Sequence, residues 1–170
     1  NTNYFLLVEK KKYILTIYEK RVDPKDLPFF SELMTGLDKK NYKCPVPLAN
    51  SENKTISNYK GKKLMIVSFL EGKAKQVLTP NDCKQVGIEV AKMHEITKSF
   101  KIKRNNNLSV KSWRSLFNAI KNQCTKINKD LPKLIETNLI DVENNWPKNL
   151  PSGIIHADLF SDNIFFQNGR

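Results

Sequence analysis

The chain has 170 residues, 39% hydrophobic and 27% charged, a composition that excludes a low-complexity or disordered polypeptide. No apolar run approaches the ~20 residues that a bilayer-spanning helix needs, so no membrane partner is expected. The net charge of +12 comes from lysines scattered along the chain rather than gathered in a recognition motif, so nucleic acid is not expected as a partner either.

Residues 4–9 and 12–18 are rich in aromatic, aliphatic and β-branched side chains, and Lys10-Lys11 separates them, which predicts a β-hairpin. Asp23-Pro24 breaks the chain. Leu27, Phe30, Leu33, Met34 and Leu37 then recur at helical spacing and predict an amphipathic helix. The two prolines of 44–50 forbid helix there. A second hairpin is expected from 54–59, a Lys60-Gly61 turn and 63–70.

The character changes at Glu71-Gly72, and from Thr79 onward the pattern is helical. Thr79 can cap, Pro80 suits the first helical position and Asp82 suits the positive end of the helix dipole. The apolar stripe of this helix reads Cys83, Val86, Val90, Met93, which makes Cys83 a core residue and its neighbour His94 a packed core histidine. A second helix is expected over roughly 109–129, with Val110, Trp113, Leu116, Phe117, Ile120, Cys124 and Ile127 on one face, and a third over about 132–144. The pattern gives two lobes, 1–70 and 71–170, joined near Ser68–Gly72. Three cysteines, Cys44, Cys83 and Cys124, without a CxxC spacing, argue against a disulfide framework or zinc site and for the reducing cytoplasm.

The chemistry concentrates in Gly153-Ile154-Ile155-His156-Ala157-Asp158-Leu159-Phe160-Ser161-Asp162-Asn163-Ile164-Phe165-Phe166. A short apolar strand is expected to deliver a His-x-Asp, an Asn follows the Asp by five residues, and a second apolar strand comes next. Phosphoryl transfer to a hydroxyl needs a carboxylate to orient the nucleophile and take its proton, and a nearby oxygen ligand for Mg²⁺. Asp158 is the candidate base and Asn163 the candidate metal ligand. A lone His-x-Asp is more often a hydrogen-bonded turn; the full pattern, bracketed by apolar segments after a helical region, reverses that reading.

The segment resembles the His-x-Asp-x-x-x-x-Asn catalytic loop of the kinase-like superfamily, in the variant used by aminoglycoside phosphotransferases and choline kinases. With Asn1-Thr2-Asn3-Tyr4-Phe5, Tyr13-Ile14-Leu15-Thr16-Ile17-Tyr18-Glu19 and Ser112-Trp113-Arg114-Ser115-Leu116-Phe117, it looks closer still to the homoserine kinases of that type. The resemblance implies an α+β, protein-kinase-like two-lobe fold: a small antiparallel β lobe with one helix, then a mainly helical lobe, both incomplete. It implies ATP and Mg²⁺ as cofactors and L-homoserine as the small-molecule substrate, phosphorylated on its hydroxyl in a step toward threonine. Rival readings are a kinase of another small alcohol and a non-catalytic basic binding module.

The resemblance places adenine against the connector, on the Ser68 carbonyl and the Leu70 N–H, and gives the nucleotide the strand face shared by Ile14 and Thr16. It puts a phosphate-binding lysine where this chain has Thr16, so Lys20 and Arg21 become guesses for that cation, and Glu32, the usual partner of the lysine, is left without its role. His156 braces the loop, and Asp162 is a turn residue or a partner of the metal ligands. Arg114 is a candidate for the substrate carboxylate, with a solvated helix position as the alternative. Two parts of the resemblance fall outside the chain, a nucleotide-covering loop before Asn1 and a second metal carboxylate after Arg170. Both ends are therefore expected to be cut from a longer chain, and the 170 residues alone are expected to be inactive.

Overall fold

The structure, a computed structural model, describes residues 1–19 and 22–167. The chain divides into two compact units, one of residues 1–103 with 153–170 and the other of residues 104–152.

The first unit carries a four-stranded antiparallel sheet. Its strands are β1 (Thr2–Val8), β2 (Lys11–Tyr18), β3 (Ile56–Tyr59) and β4 (Lys62–Ser68), in the order β1-β2-β4-β3. Both hairpins close through two residues of positive φ, Glu9 (47°) with Lys10 (67°) and Lys60 (48°) with Gly61 (76°). That pair of conformations matches the right-handed twist of the strands it joins. The first turn sits one residue earlier than the Lys10-Lys11 expected, because Lys11 pairs with Val8 as the first rung of β2. The second falls on Lys60-Gly61 as expected.

Helix α1 (Leu27–Asp38) has Pro28 in its first turn and buries Leu27, Ser31 and Leu37. The Ser31 and Thr55 hydroxyls lie 2.7 Å apart, tying α1 to the approach of β3. Beyond the short β3, the proline-bearing 44–50 segment covers the same side of β4. Leu48 N–H donates to the Ile66 carbonyl at 2.9 Å, and Pro47 bridges Val67. Met65 at the centre of β4 is fully buried, as is Leu27.

Helix α2 (Pro80–Thr97) begins where the sequence expects it. Thr79 Oγ1 accepts the Asp82 N–H while Asp82 accepts the Thr79 N–H, a reciprocal capping box. That box turns Asp82 inward, so the buried face runs through Asp82, Met93 and Thr97. Cys83 and His94, each one residue further round the helix, are exposed, which corrects their expected core positions.

The second unit is a helical pair, α3 (Val110–Cys124) and α4 (Leu131–Asn145). Phe117, Cys124 and Leu139 form its buried centre, with Trp113, Leu131 and Ile135 packed against them. The α3 helix ends at Cys124 rather than near 129. Ile127 and Asn128 both donate to the Cys124 carbonyl, and the Asn128 side chain turns back to accept the Asp130 N–H at 2.8 Å. Such local bonding by Asn competes with a continuing helix, and it leaves Ile127 81% exposed. Among the described residues no helix is long and apolar enough to cross a membrane.

Candidate active site

The His-x-Asp segment is a tight, irregular loop. Ala157 takes φ 64°, a left-handed conformation that reverses the chain between His156 and Asp158. His156 Nδ1 accepts the Asp158 N–H at 3.3 Å, so the imidazole braces the bend from within. A single 3₁₀ turn, Ser161–Asn163, follows, with the Asn163 N–H donating to the Phe160 carbonyl at 2.9 Å. Asp162 lies in this turn.

That turn carries Asn163 back over Asp158. Asn163 Nδ2 donates to the Asp158 main-chain carbonyl and to Asp158 Oδ2, both at 3.0 Å. The amide thus spends its donors on Asp158 and keeps Oδ1 as an acceptor. Both residues are exposed.

The expected flanking strands do not form. Residues 151–160 have no regular structure, and the stretch after Asn163 pairs only at Phe166, which bridges Lys73. An apolar tripeptide becomes a strand only when a partner offers a ladder. Residues 153–155 find none among the described residues, and 164–166 find one rung.

Ile14 is half-buried on β2, opposite Val67 of β4, and Ser68 is opposite Tyr13. Ser68 is clamped by the 44–50 segment: its N–H donates to the Val46 carbonyl, and its hydroxyl accepts the Val46 N–H, both at 2.9 Å. Phe69 N–H donates to the Lys12 carbonyl at 3.2 Å, while the Leu70 N–H has no partner among the described residues. At Glu71 the connector is held by Lys12, whose ammonium lies 2.5 Å from the carboxylate and 5.6 Å from the Phe69 ring centroid.

Thr16 faces Asn3 across the hairpin, and its hydroxyl donates to Asn3 Oδ1 at 2.8 Å. Glu32 is exposed on α1. Lys20 and Arg21 lie outside the described residues.

Arg114 belongs to the second unit and is engaged there. Its Nε lies 2.9 Å and 3.1 Å from the two Glu143 oxygens, and a terminal nitrogen lies 2.5 Å from Oε2. The fork holds the Glu143 carboxyl below, and the guanidinium above, their ordinary pKa values. Trp113, beside it, donates through Nε1 to the Leu108 carbonyl and meets Trp146 edge to face at 5.4 Å. Nothing in the sequence links Arg114 to Glu143, 29 residues later.

The donors gathered at Asp158 and Asn163 are all oxygens, a hard set of the kind Mg²⁺ and Ca²⁺ prefer. Among the described residues no group of three or more His, Cys, Asp or Glu side chains is placed to hold a metal.

An antiparallel sheet with a flanking helix, followed by a run of helices, is the architecture of the protein-kinase-like fold. The chain belongs to the phosphotransferase enzyme family, whose family model matches residues 1–170. It is 44% identical over 166 residues to the homoserine kinase of Paramagnetospirillum magneticum, covering 98% of this chain and 51% of that protein. It is 41% identical to the homoserine kinase of Rhizobium meliloti, covering 100% of this chain and 52% of the relative. The chain therefore spans about half the length of the curated relatives it matches.

Two solved structures share the fold. A spectinomycin phosphotransferase in complex with ADP and spectinomycin superposes with a TM-score of 0.63 at 19% identity, over 98% of this chain and 56% of its own. An amicoumacin kinase in complex with AMP-PNP and Ca²⁺ superposes with a TM-score of 0.68 at 16% identity, over 98% of this chain and 53% of its own.

Proposed function

We propose that this chain carries the nucleotide-binding lobe (1–70) and the first part of the catalytic lobe (71–170) of a homoserine kinase. The reaction is ATP plus L-homoserine giving O-phospho-L-homoserine and ADP, a step toward threonine, in the cytoplasm. The observation that carries the chemistry is the double hydrogen bond from Asn163 to Asp158. The choice of acceptor rests on identities of 44% and 41% to homoserine kinases.

In this reading the Asp158 carboxylate receives the homoserine hydroxyl. Its oxygen forms a bond to the γ-phosphorus as the bond to the β,γ-bridging oxygen breaks, and its proton passes to the carboxylate. Asn163 holds Asp158 in place through Nδ2 and offers Oδ1 to Mg²⁺, which when bound neutralises charge on the phosphate oxygens. No covalent intermediate is needed, because orientation and electrostatics lower the barrier. Adenine pairs with the Ser68 carbonyl and the open Leu70 N–H, against Ile14. The clamp from Val46 to Ser68 sets the end of β4 and with it those two groups. Arg114, paired with Glu143 within its own unit, is kept as the candidate for the acceptor's carboxylate.

A panel of hydroxyl acceptors offered with ATP and Mg²⁺ to the full-length protein tests the reading. Homoserine is expected to give the highest kcat/KM. Preference for an aminoglycoside or choline would move the assignment elsewhere in the family, and ATP binding with no transfer to any acceptor would favour a binding module.

A further inference from the structure

The arm that leaves the catalytic loop is fastened to the chain just after the connector. Lys73 and Phe166 exchange both main-chain hydrogen bonds, each at 3.0 Å. Gly72 makes this approach possible: a Cβ there would lie 3.1 Å from Phe165 Cβ and 3.2 Å from the Phe166 carbonyl oxygen. The third fastening uses a side chain. Lys75 Nζ sits 4.4 Å from the centroid of the buried Phe166 ring and 2.6 Å from Asp82 Oδ1. Asp82 is 2% exposed, and Thr79 donates to it through N–H at 2.9 Å and Oγ1 at 2.8 Å.

These contacts form one line. The capped start of α2 fixes Thr79 and Asp82, Asp82 fixes the Lys75 ammonium, and the ammonium lies on the Phe166 ring. Phe166 stands three residues after Asn163, and Asn163 holds Asp158. A cation shared between a buried carboxylate and an aromatic face has little freedom, since leaving either partner strands the other.

We propose that Lys75 is a positioning residue for phosphoryl transfer: held between Asp82 and Phe166, it seats the arm that carries Asn163 and, through it, Asp158. It need touch neither nucleotide nor acceptor. The inference rests on the phosphotransfer reading above for its consequence in catalysis, but not for the placement of the loop.

The test uses the full-length protein with Lys75→Met, Lys75→Arg and the double variant Lys75→Met with Asp82→Asn. Lys75→Met is expected to lower kcat for homoserine about tenfold while the KM for ATP stays within about twofold, because misplacing a catalytic group costs rate more than binding. Amide exchange in peptides spanning 156–166 is expected to rise in step, with the β1–β4 sheet unchanged. Lys75→Arg, which keeps both the ion pair and the ring contact, restores most of kcat.

The double variant separates positioning from charge compensation. Removing the buried charge is expected to recover the melting temperature lost in Lys75→Met but not the lost kcat. The proposal is overturned if Lys75→Met leaves kcat and loop exchange at wild-type values, or if Asp82→Asn returns kcat along with stability. A wild-type protein that phosphorylates no homoserine, yet whose 156–166 exchange responds to Lys75→Met, would sink the substrate reading and leave the positioning role standing.

Discussion

Asn163 reaches back across five residues to donate to both the main-chain carbonyl and the carboxylate of Asp158, at 3.0 Å each. One amide therefore fixes the aspartate's backbone and aims its side chain together. Asp158→Asn in the full-length protein is expected to lower kcat by about 10²–10⁴-fold while nucleotide affinity is retained, because in the proposed mechanism only the proton acceptor is lost. Steady-state kinetics with a fluorescent nucleotide displacement assay measures both. Asn163→Ala is expected to lower kcat and also raise the Mg²⁺ concentration required for half-maximal rate, since it removes the proposed metal ligand and the brace at once.

The Arg114–Glu143 fork makes the acceptor assignment testable. Glu143→Gln weakens the competitor for the guanidinium, so the KM for homoserine is expected to fall. Arg114→Met removes the cation, so that KM is expected to rise, with the KM for ATP unchanged in both. Equal homoserine KM values in all three proteins would make Arg114 a tie between α3 and α4 only.

Gly72 has φ 154° and stands within 3.2 Å of the Phe166 carbonyl oxygen by the position its Cβ would take. Gly72→Ala is expected to cost about 1–3 kcal/mol, since both the backbone conformation and the contact oppose a side chain. Urea unfolding of the full-length protein measures the loss. An unchanged midpoint would show that the connector can move away from Phe165 and Phe166 without penalty.

Asp82 gives stability a specific acid dependence. The Lys75 ammonium and the two Thr79 donors lower its pKa from 3.8 to about 2. The folded protein thus binds this proton less readily than the unfolded chain, so the contribution is complete above 3.8, drains as pH falls and is gone below about 2. Asp82→Asn is expected to flatten the fall in urea midpoint between about pH 4 and about pH 2. Glu19, Glu136 and Glu143 are also held below their ordinary values by cationic partners, so a residual slope of the same sign should remain.

The parts legible in the sequence are those whose cause is local. Thr79, Pro80 and Asp82 announce the start of α2 within four residues, and the Lys60-Gly61 turn announces the second hairpin. The loop from His156 to Asn163 is likewise a short-range device, and its two key side chains meet. What stayed hidden depends on distant partners. The 153–155 and 164–166 segments have strand-like composition, but among the described residues the first finds no partner and the second finds only Lys73, some ninety residues away. Cys83 was misplaced because one residue of helix rotation, imposed by the inward turn of Asp82, exchanges a buried side chain for an exposed one. The links from Lys75 to Phe166 and from Arg114 to Glu143 leave no periodic trace at all.

On β2 the Thr16 hydroxyl is bonded to the Asn3 side-chain oxygen across the hairpin. Neither member of that pair gains or loses a proton in water near neutrality. The pair itself is thus electrically silent: acidifying or alkalinising the solution leaves that one contact unaltered. Under the proposed placement of the nucleotide, a response of its affinity to acidity would have to originate in groups other than this pair.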